Sequence, residues 1–163
     1  MAPGLVKCGQ MTPMMKWLYL VALATWTGSV VFFSAVVAQT VHQVLSREDA
    51  ARLLRVMFPR YYLVGLVSAA TGVVCVGWLL FERAFGKWPG IFSLLLLASL
   101  GGTSFWLRQT VAPRMEQLRQ QRDSSPEAAS EWRELHRLSV QLNVATLVGL
   151  LALLFLLVFA RVA

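Results

Sequence analysis

Charged residues are scarce in this chain of 163 residues: only 14% are Asp, Glu, Lys or Arg, whereas 57% are hydrophobic. A soluble domain is usually about a quarter charged. Four stretches contain no charged residue at all: 17–44, 61–81, 88–107 and 138–160. Each is long enough to cross a bilayer, which takes roughly 20 apolar residues. The sequence therefore excludes an ordinary soluble domain and predicts an integral membrane protein.

Segments of this length also exclude the strands of a membrane β-barrel, which are about ten residues long and alternate in hydrophobicity. A helix satisfies its backbone hydrogen bonds within one segment, as a span surrounded by lipid must. We therefore predict an all-α fold, a four-helix membrane bundle that forms a single domain over residues 1–163.

Other absences narrow the function. The two cysteines are Cys8, before the first span, and Cys75, within the second, so we expect no disulfide between them. The sequence has no metalloprotease helix motif, phosphate loop or nucleophile elbow. The spans also lack the acidic and basic residues on which proton-coupled transport depends. We therefore expect a protein that is not an enzyme and has no cofactor.

The basic residues give a net charge of +7 and are expected to mark topology and lipid contacts rather than a nucleic-acid site. Four spans place both termini on one side of the membrane, together with five basic residues. The other ten basic residues lie on the opposite side: Arg47, Arg52, Arg55, Arg60, Arg108, Arg114, Arg119, Arg122, Arg133 and Arg137. Because basic residues favour the cytoplasmic side, we expect the termini to lie on the non-cytoplasmic side.

On the arginine-rich side, two helices have clear start signals. Ser46 is followed three residues later by Asp49, as in a capping box, and Ser125 precedes Pro126, a residue favoured at the first helical position. A helix over residues 126–160 would be roughly 50 Å long, whereas the bilayer core is about 30 Å thick.

The third helix is expected to continue past its span in the same way, to about Arg122, with a bend at Pro113. The third and fourth helices should then project together from the membrane as an antiparallel charged hairpin.

Polar residues line one face where the fourth helix enters the membrane: His136, Ser139 and Asn143 are spaced i, i+3 and i+7. Gln39 and His42 lie at a similar depth on the first helix. Since lipid offers no hydrogen-bond partner, we expect these residues to form a polar stripe inside the bundle.

The alternative is a ligand site. His42 and His136 could hold a haem iron, or bind copper together with Met57 or Met115. A second set of soft metal ligands lies before the first span: Cys8, Met11, Met14 and Met15. Methionines at these positions suit an apolar helix face equally well.

Small residues at helical spacing predict where helices approach closely. On the second helix they are Gly65, Ala69 and Gly72, and on the third they are Ala98 and Gly102. Gly28 has a similar place on the first helix.

Three short motifs, WTGSVVFF (26–33), FPRYY (58–62) and HRLSVQLN (136–143), occur in this order along the chain. In this the chain resembles the uncharacterised four-span membrane family that includes human transmembrane protein 205. The resemblance implies a four-helix membrane fold but no agreed biochemistry. The motif positions that it carries over are Gly28, Phe32, Pro59, Tyr61, His136, Ser139 and Asn143.

Together these patterns favour a structural or assembly subunit that packs against partner subunits in a larger membrane complex. The alternative is the soft-metal or haem protein described above.

Overall fold

The computed structural model describes residues 5–121 and 124–159, except for the side chains of residues 5–10 and of His42. These ranges form four long helices and contain no strand. Helix α1 (residues 5–44) consists of Leu5–Phe32, a π-helical turn at Phe33–Val37, and Ala38–Val44; α2 is Arg47–Phe81; α3 (Lys87–Gln121) consists of Lys87–Trp106, a π-helical turn at Leu107–Val111, and Ala112–Gln121; α4 is Pro126–Phe159.

All four helices are long and apolar enough to cross a membrane, which confirms the predicted all-α membrane bundle. Helices α2, α3 and α4 contain 35, 35 and 34 residues. At 1.5 Å per residue each is about 50 Å long, well beyond the roughly 30 Å of a bilayer core. Their charged ends therefore project from the membrane, and α3 and α4 do so side by side as the predicted hairpin.

The two predicted helix starts are confirmed. The Oγ atom of Ser46 accepts a hydrogen bond from the N–H of Asp49 at 3.1 Å and donates one to the Asp49 carboxylate at 2.6 Å. The Oγ atom of Ser125 accepts a hydrogen bond from the N–H of Ala128 at 3.2 Å. The bonds from the N–H groups of Asp49 and Ala128 each satisfy a backbone donor that the first helical turn leaves unpaired.

Three prolines lie inside helices, past the first turn, without ending them: Pro13 in α1, Pro59 in α2 and Pro113 in α3. Helix α2 continues through Pro59, so the amphipathic segment before this residue and the span after it form one helix. In α3, Pro113 follows the π-helical turn at Leu107–Val111 by two residues. A proline ring crowds the carbonyl four residues earlier, here that of Gln109. Gln109 lies within the wider π turn, and the helix continues through Pro113.

Each helix packs against its neighbours in sequence, and α4 closes the bundle by packing against α1 as well as α3. Helices α2 and α4 are therefore diagonal to each other. Helix α2 contacts both α1 and α3 and contributes buried residues along its length.

Helix α1 approaches α2 at two glycines. A Cβ atom on Gly65 would lie 2.9 Å from Nε1 of Trp26, and one on Gly72 would lie 3.4 Å from the ring of Tyr19. Both aromatic side chains are buried. The large rings of α1 thus occupy the space that the missing side chains of α2 leave open.

Helix α3 approaches the same face of α2. A Cβ atom on Gly72 would also lie 3.0 Å from a methyl group of Leu97, and one on Gly101 would lie 3.0 Å from Cβ of Ala69. The small residues Gly65, Ala69 and Gly72 therefore all take part in close helix contacts, as their spacing predicts.

The predicted small-residue face of α3 points outward, contrary to expectation. Ala98 and Gly102 are exposed, whereas Leu97 and Gly101, one position earlier in each case, are buried. One residue corresponds to a rotation of about 100° around a helix with 3.6 residues per turn. The sequence pattern therefore predicted an inward face of α3 that is one position away from the buried one. Gly28 is also exposed, with nothing within 4 Å of where its Cβ would be.

We predict that Gly65→Ala lowers the thermal stability of the purified protein in detergent. The new methyl group would meet the buried Trp26 ring, and overpacking of this kind costs about 1–3 kcal/mol. Gly28→Ala is the matched control, because it also replaces a helical glycine but meets no atom within 4 Å. Melting temperatures of both variants provide the check, and equal stability of the two would contradict the contact.

Candidate functional site

Four aromatic rings meet where the π-helical turn of α1 passes α2. The ring centroid of Phe33 lies 5.1 Å from that of Phe58 and 4.7 Å from that of Tyr61. The ring of Tyr62 lies 5.2 Å from Tyr61 and 6.0 Å from Phe58. Rings at such separations attract each other by about 0.5–1.5 kcal/mol per pair beyond their burial. This aromatic cluster (Phe33, Phe58, Tyr61 and Tyr62) fixes α1 to α2 where the charge-free span of α2 begins.

A hydrogen bond crosses the bundle beside this cluster. The hydroxyl of Tyr61 in α2 donates to Oδ1 of Asn143 in α4 at 2.8 Å, and both side chains are half-buried. The surrounding crevice, lined also by Trp26 and Thr146, has no room for a water molecule. Because neither water nor lipid can replace the bond, the tyrosine and the amide satisfy each other, and two helices that are not neighbours are joined.

The residues of the predicted polar stripe do not all meet inside the bundle. Asn143 finds its partner on α2, whereas the sequence pattern favoured Gln39 or His42 on α1. Gln39 is exposed, and the side chain of His42 lies outside the described residues. The Oγ atom of Ser139 donates to the carbonyl of His136 in its own helix at 2.8 Å.

His136 itself lies on the outside of the bundle rather than in its interior. Its ring stacks on Trp132, one turn earlier, with centroids 5.1 Å apart and planes inclined by 7°. The position explains the difference from the prediction: His136 is two turns nearer the projecting end than Asn143, where an imidazole does not need an interior partner.

The proposed metal-binding methionines belong to separate environments. Met115 packs against the cluster formed by Tyr62, Leu107 and Val111, and Met57 lines a groove on the outer side of α1 and α2. Within residues 11–121 and 124–159, leaving His42 aside, no three His, Cys, Asp or Glu side chains converge as metal ligands. Of the earlier set, the side chain of Cys8 lies outside the described residues, Met14 is exposed and Met15 packs against the core.

Ion pairs hold the projecting ends of the helices together. Glu116 in α3 pairs with Arg55 in α2 and with Arg119 one turn along α3. Hydrogen bonds from Arg119, assisted by the charge of Arg55, lower the pKa of Glu116, which lies beyond the charge-free span. Arg114 in α3 donates two hydrogen bonds of 2.8 Å to the carboxylate of Glu131 in α4.

Apolar contacts accompany these ion pairs, since Leu118 and Ala128 are buried between the two arms of the hairpin. Exposed ion pairs contribute little stability individually, about 0–1 kcal/mol. We define the charged platform as residues 47–60 of α2, 108–121 of α3 and 126–137 of α4. Its contacts link three helices beyond the membrane, so the platform is a built surface rather than a set of loose ends.

Several residues of this region were not predicted individually. Phe33, Phe58 and Tyr62 lie inside the motifs WTGSVVFF and FPRYY, but the predicted positions there are their neighbours Phe32, Pro59 and Tyr61, together with Gly28. Phe33 is 7% exposed and Phe32 is 59% exposed, because adjacent side chains of a helix point about 100° apart and only that of Phe33 faces α2. The ion-pair partners Arg55, Glu116 and Arg119 could be read from the sequence only as charges on one side of the membrane.

Over residues 21–124, the chain matches the sequence model of a family described as a domain of unknown function (DUF4149). No curated protein and no solved structure matches the chain. The matched region contains all of α2, with its small-residue face and Tyr61, but ends before α4 and Asn143. The hydrogen bond across the bundle therefore joins a residue inside the matched region to one outside it.

We predict that Asn143→Leu lowers the melting temperature in detergent without changing membrane insertion, because the Tyr61 hydroxyl loses its acceptor. Hydrogen bonds between membrane helices contribute roughly 0.6 kcal/mol on average. Adding Tyr61→Phe to Asn143→Leu should cost less than the two separate changes together. Ser139→Ala is the control, since its hydroxyl bonds within α4. Strictly additive losses in the double variant would show that the two side chains do not interact.

Proposed function

We propose that this chain, which belongs to the DUF4149 family, is a non-enzymatic subunit that helps assemble or stabilise a larger membrane complex. The observation that most supports this role is the charged platform. Its three helix ends are joined by Arg55–Glu116 and Arg114–Glu131, so it presents a fixed arrangement of charges outside the membrane. A rigid surface loses little conformational freedom when it binds, which favours its use as an interface.

The platform also has charges that its own fold does not neutralise. Within the described residues, five of its arginines form no salt bridge: Arg47, Arg60, Arg108, Arg133 and Arg137. Arg47 and Arg133 are exposed. Guanidinium groups bind carboxylates and phosphates through paired hydrogen bonds, so they suit an acidic partner surface.

A second surface that supports the proposal lies within the membrane. Ala98 and Gly102 are exposed on α3 at a spacing that permits another helix to approach closely. The corresponding small residues of α2 are already covered by α1 and α3. The outward face of α3 is therefore the one where a partner helix could pack.

We also propose two finer assignments. The motifs around Phe32, Tyr61 and Asn143 support a relationship to human transmembrane protein 205, within a group that has no agreed biochemistry. The ten basic residues on the platform side, against five on the side of the termini, support a cytoplasmic platform.

Removal of the hairpin tests the assembly role. Residues 115–131 are replaced with a short Gly/Ser link, and the protein is purified in mild detergent from its own membranes. We expect the four spans to insert as before and the proteins that migrate with the chain on a native gel to be reduced several-fold, as measured by quantitative mass spectrometry.

The matched variant Gly102→Leu leaves the platform intact and changes the outward face of α3. Loss of the partners from this variant, with full retention after the hairpin deletion, would move the interface into the membrane. A wild-type chain that migrates with no other protein would overturn the assembly role.

A further inference from the structure

An open groove of about 300 Å³ runs along the outer side of α1 and α2. Its walls are mainly apolar and include Phe32, Val37, Met57 and Val64. Arg60 also lines the groove. The helices that form it cross the membrane, so the open side of its apolar part faces lipid.

The groove lies beside the π-helical turn of α1. Phe33, the first residue of this turn, lies in the aromatic cluster, while Phe32 remains outside at 59% exposure. Both rings line the groove, together with Val37 at the other end of the turn. The groove therefore runs alongside the aromatic contact between α1 and α2.

Arg60 is placed where a lipid headgroup would lie. It is the last charged residue of α2 before the charge-free span 61–81. Its side chain is exposed and forms no salt bridge with the described residues. A guanidinium at the membrane interface offers a phosphate two parallel hydrogen bonds.

The volume distinguishes a lipid chain from a protein helix. A groove of about 300 Å³ has room for a segment of one acyl chain. A helix with its side chains is about 10 Å wide and does not fit.

We propose that this groove binds one anionic glycerophospholipid. An acyl chain lies against Phe32, Val37 and Val64, and the headgroup phosphate binds Arg60. Among the described residues, no acidic residue lines the groove, so the ammonium of a zwitterionic headgroup finds no partner among them. The groove shares Met57 and Arg60 with the charged platform, but the proposal does not depend on the assembly role, because lipid binding is measured on the purified chain without partner proteins.

The test uses the full-length chain purified in detergent, with added phosphatidylglycerol or phosphatidylcholine. Native mass spectrometry counts the bound lipids, and thermal unfolding measures stabilisation. We expect one phosphatidylglycerol to be retained and to raise the melting temperature more than phosphatidylcholine does. Arg60→Gln should weaken this binding about tenfold, as expected for loss of hydrogen bonds to a charged group. Arg60→Lys, which keeps the charge but not the paired donors, should be intermediate.

Two further variants separate this site from general attraction to charge. Arg133→Gln removes an exposed arginine of α4 that does not line the groove, and it should bind phosphatidylglycerol as the wild type does. Val64→Trp fills the groove and should reduce binding although Arg60 is kept. Equal binding of both lipids, unchanged binding in Arg60→Gln, or an equal loss in Arg133→Gln would each overturn the proposal.

Discussion

The structure depends on how closely other helices can approach α2. Within a bilayer, apolar side chains gain little by leaving lipid for a protein interior, so membrane helices associate through close packing and polar contacts. Gly65 and Gly72 admit the rings of α1, and Ala69 meets Gly101 of α3. Helices α1 and α3 both pack against α2, and α4 packs between α1 and α3. This arrangement brings Tyr61 of α2 within hydrogen-bond distance of Asn143 on the diagonal helix α4.

Because the interior is closely packed, the surfaces open to a partner or ligand lie on the outside of the bundle. The crevice around Tyr61 and Asn143 has no room for water, and the aromatic cluster fills the space beside it. The surfaces that remain for recognition are the charged platform, the outward face of α3 and the groove beside Arg60. The first consists of helix ends that extend beyond the span, the second carries small residues that no helix of the bundle covers, and the third lies beside the π turn of α1.

Much of this fold could be predicted because it depends on composition and local signals. The four charge-free stretches indicate the spans, and Ser46 and Ser125 mark helix starts that the structure confirms. The hairpin follows from helices longer than a bilayer. Asn143 was selected for its depth, since an amide inside a span needs a partner.

The details of the site could not be predicted, because they depend on the rotation of each helix. Ala98 and Gly102 have the spacing of a small-residue contact, but the residues of α3 that are buried are Leu97 and Gly101, one position earlier. The π turn at Phe33 rotates the faces of the helix that follows it, and no local sequence pattern predicts this turn. The prediction of an interior position for His136 was wrong for a related reason. The helix face that points into the bundle at Asn143 is exposed two turns earlier, at His136.

Cysteine cross-linking tests the rotation of α3 against α2 most directly. Ala69→Cys is combined with Gly101→Cys or with Gly102→Cys in a chain whose two native cysteines are replaced with alanine, and native membranes are oxidised gently. A Cβ at position 101 would lie 3.0 Å from that of Ala69, close to the roughly 3.8 Å of a disulfide. The structure predicts an intramolecular disulfide for the 69–101 pair and little for the 69–102 pair. Cross-linking through position 102 instead, or covalent dimers from the 69–101 pair, would contradict the packing on which the account depends.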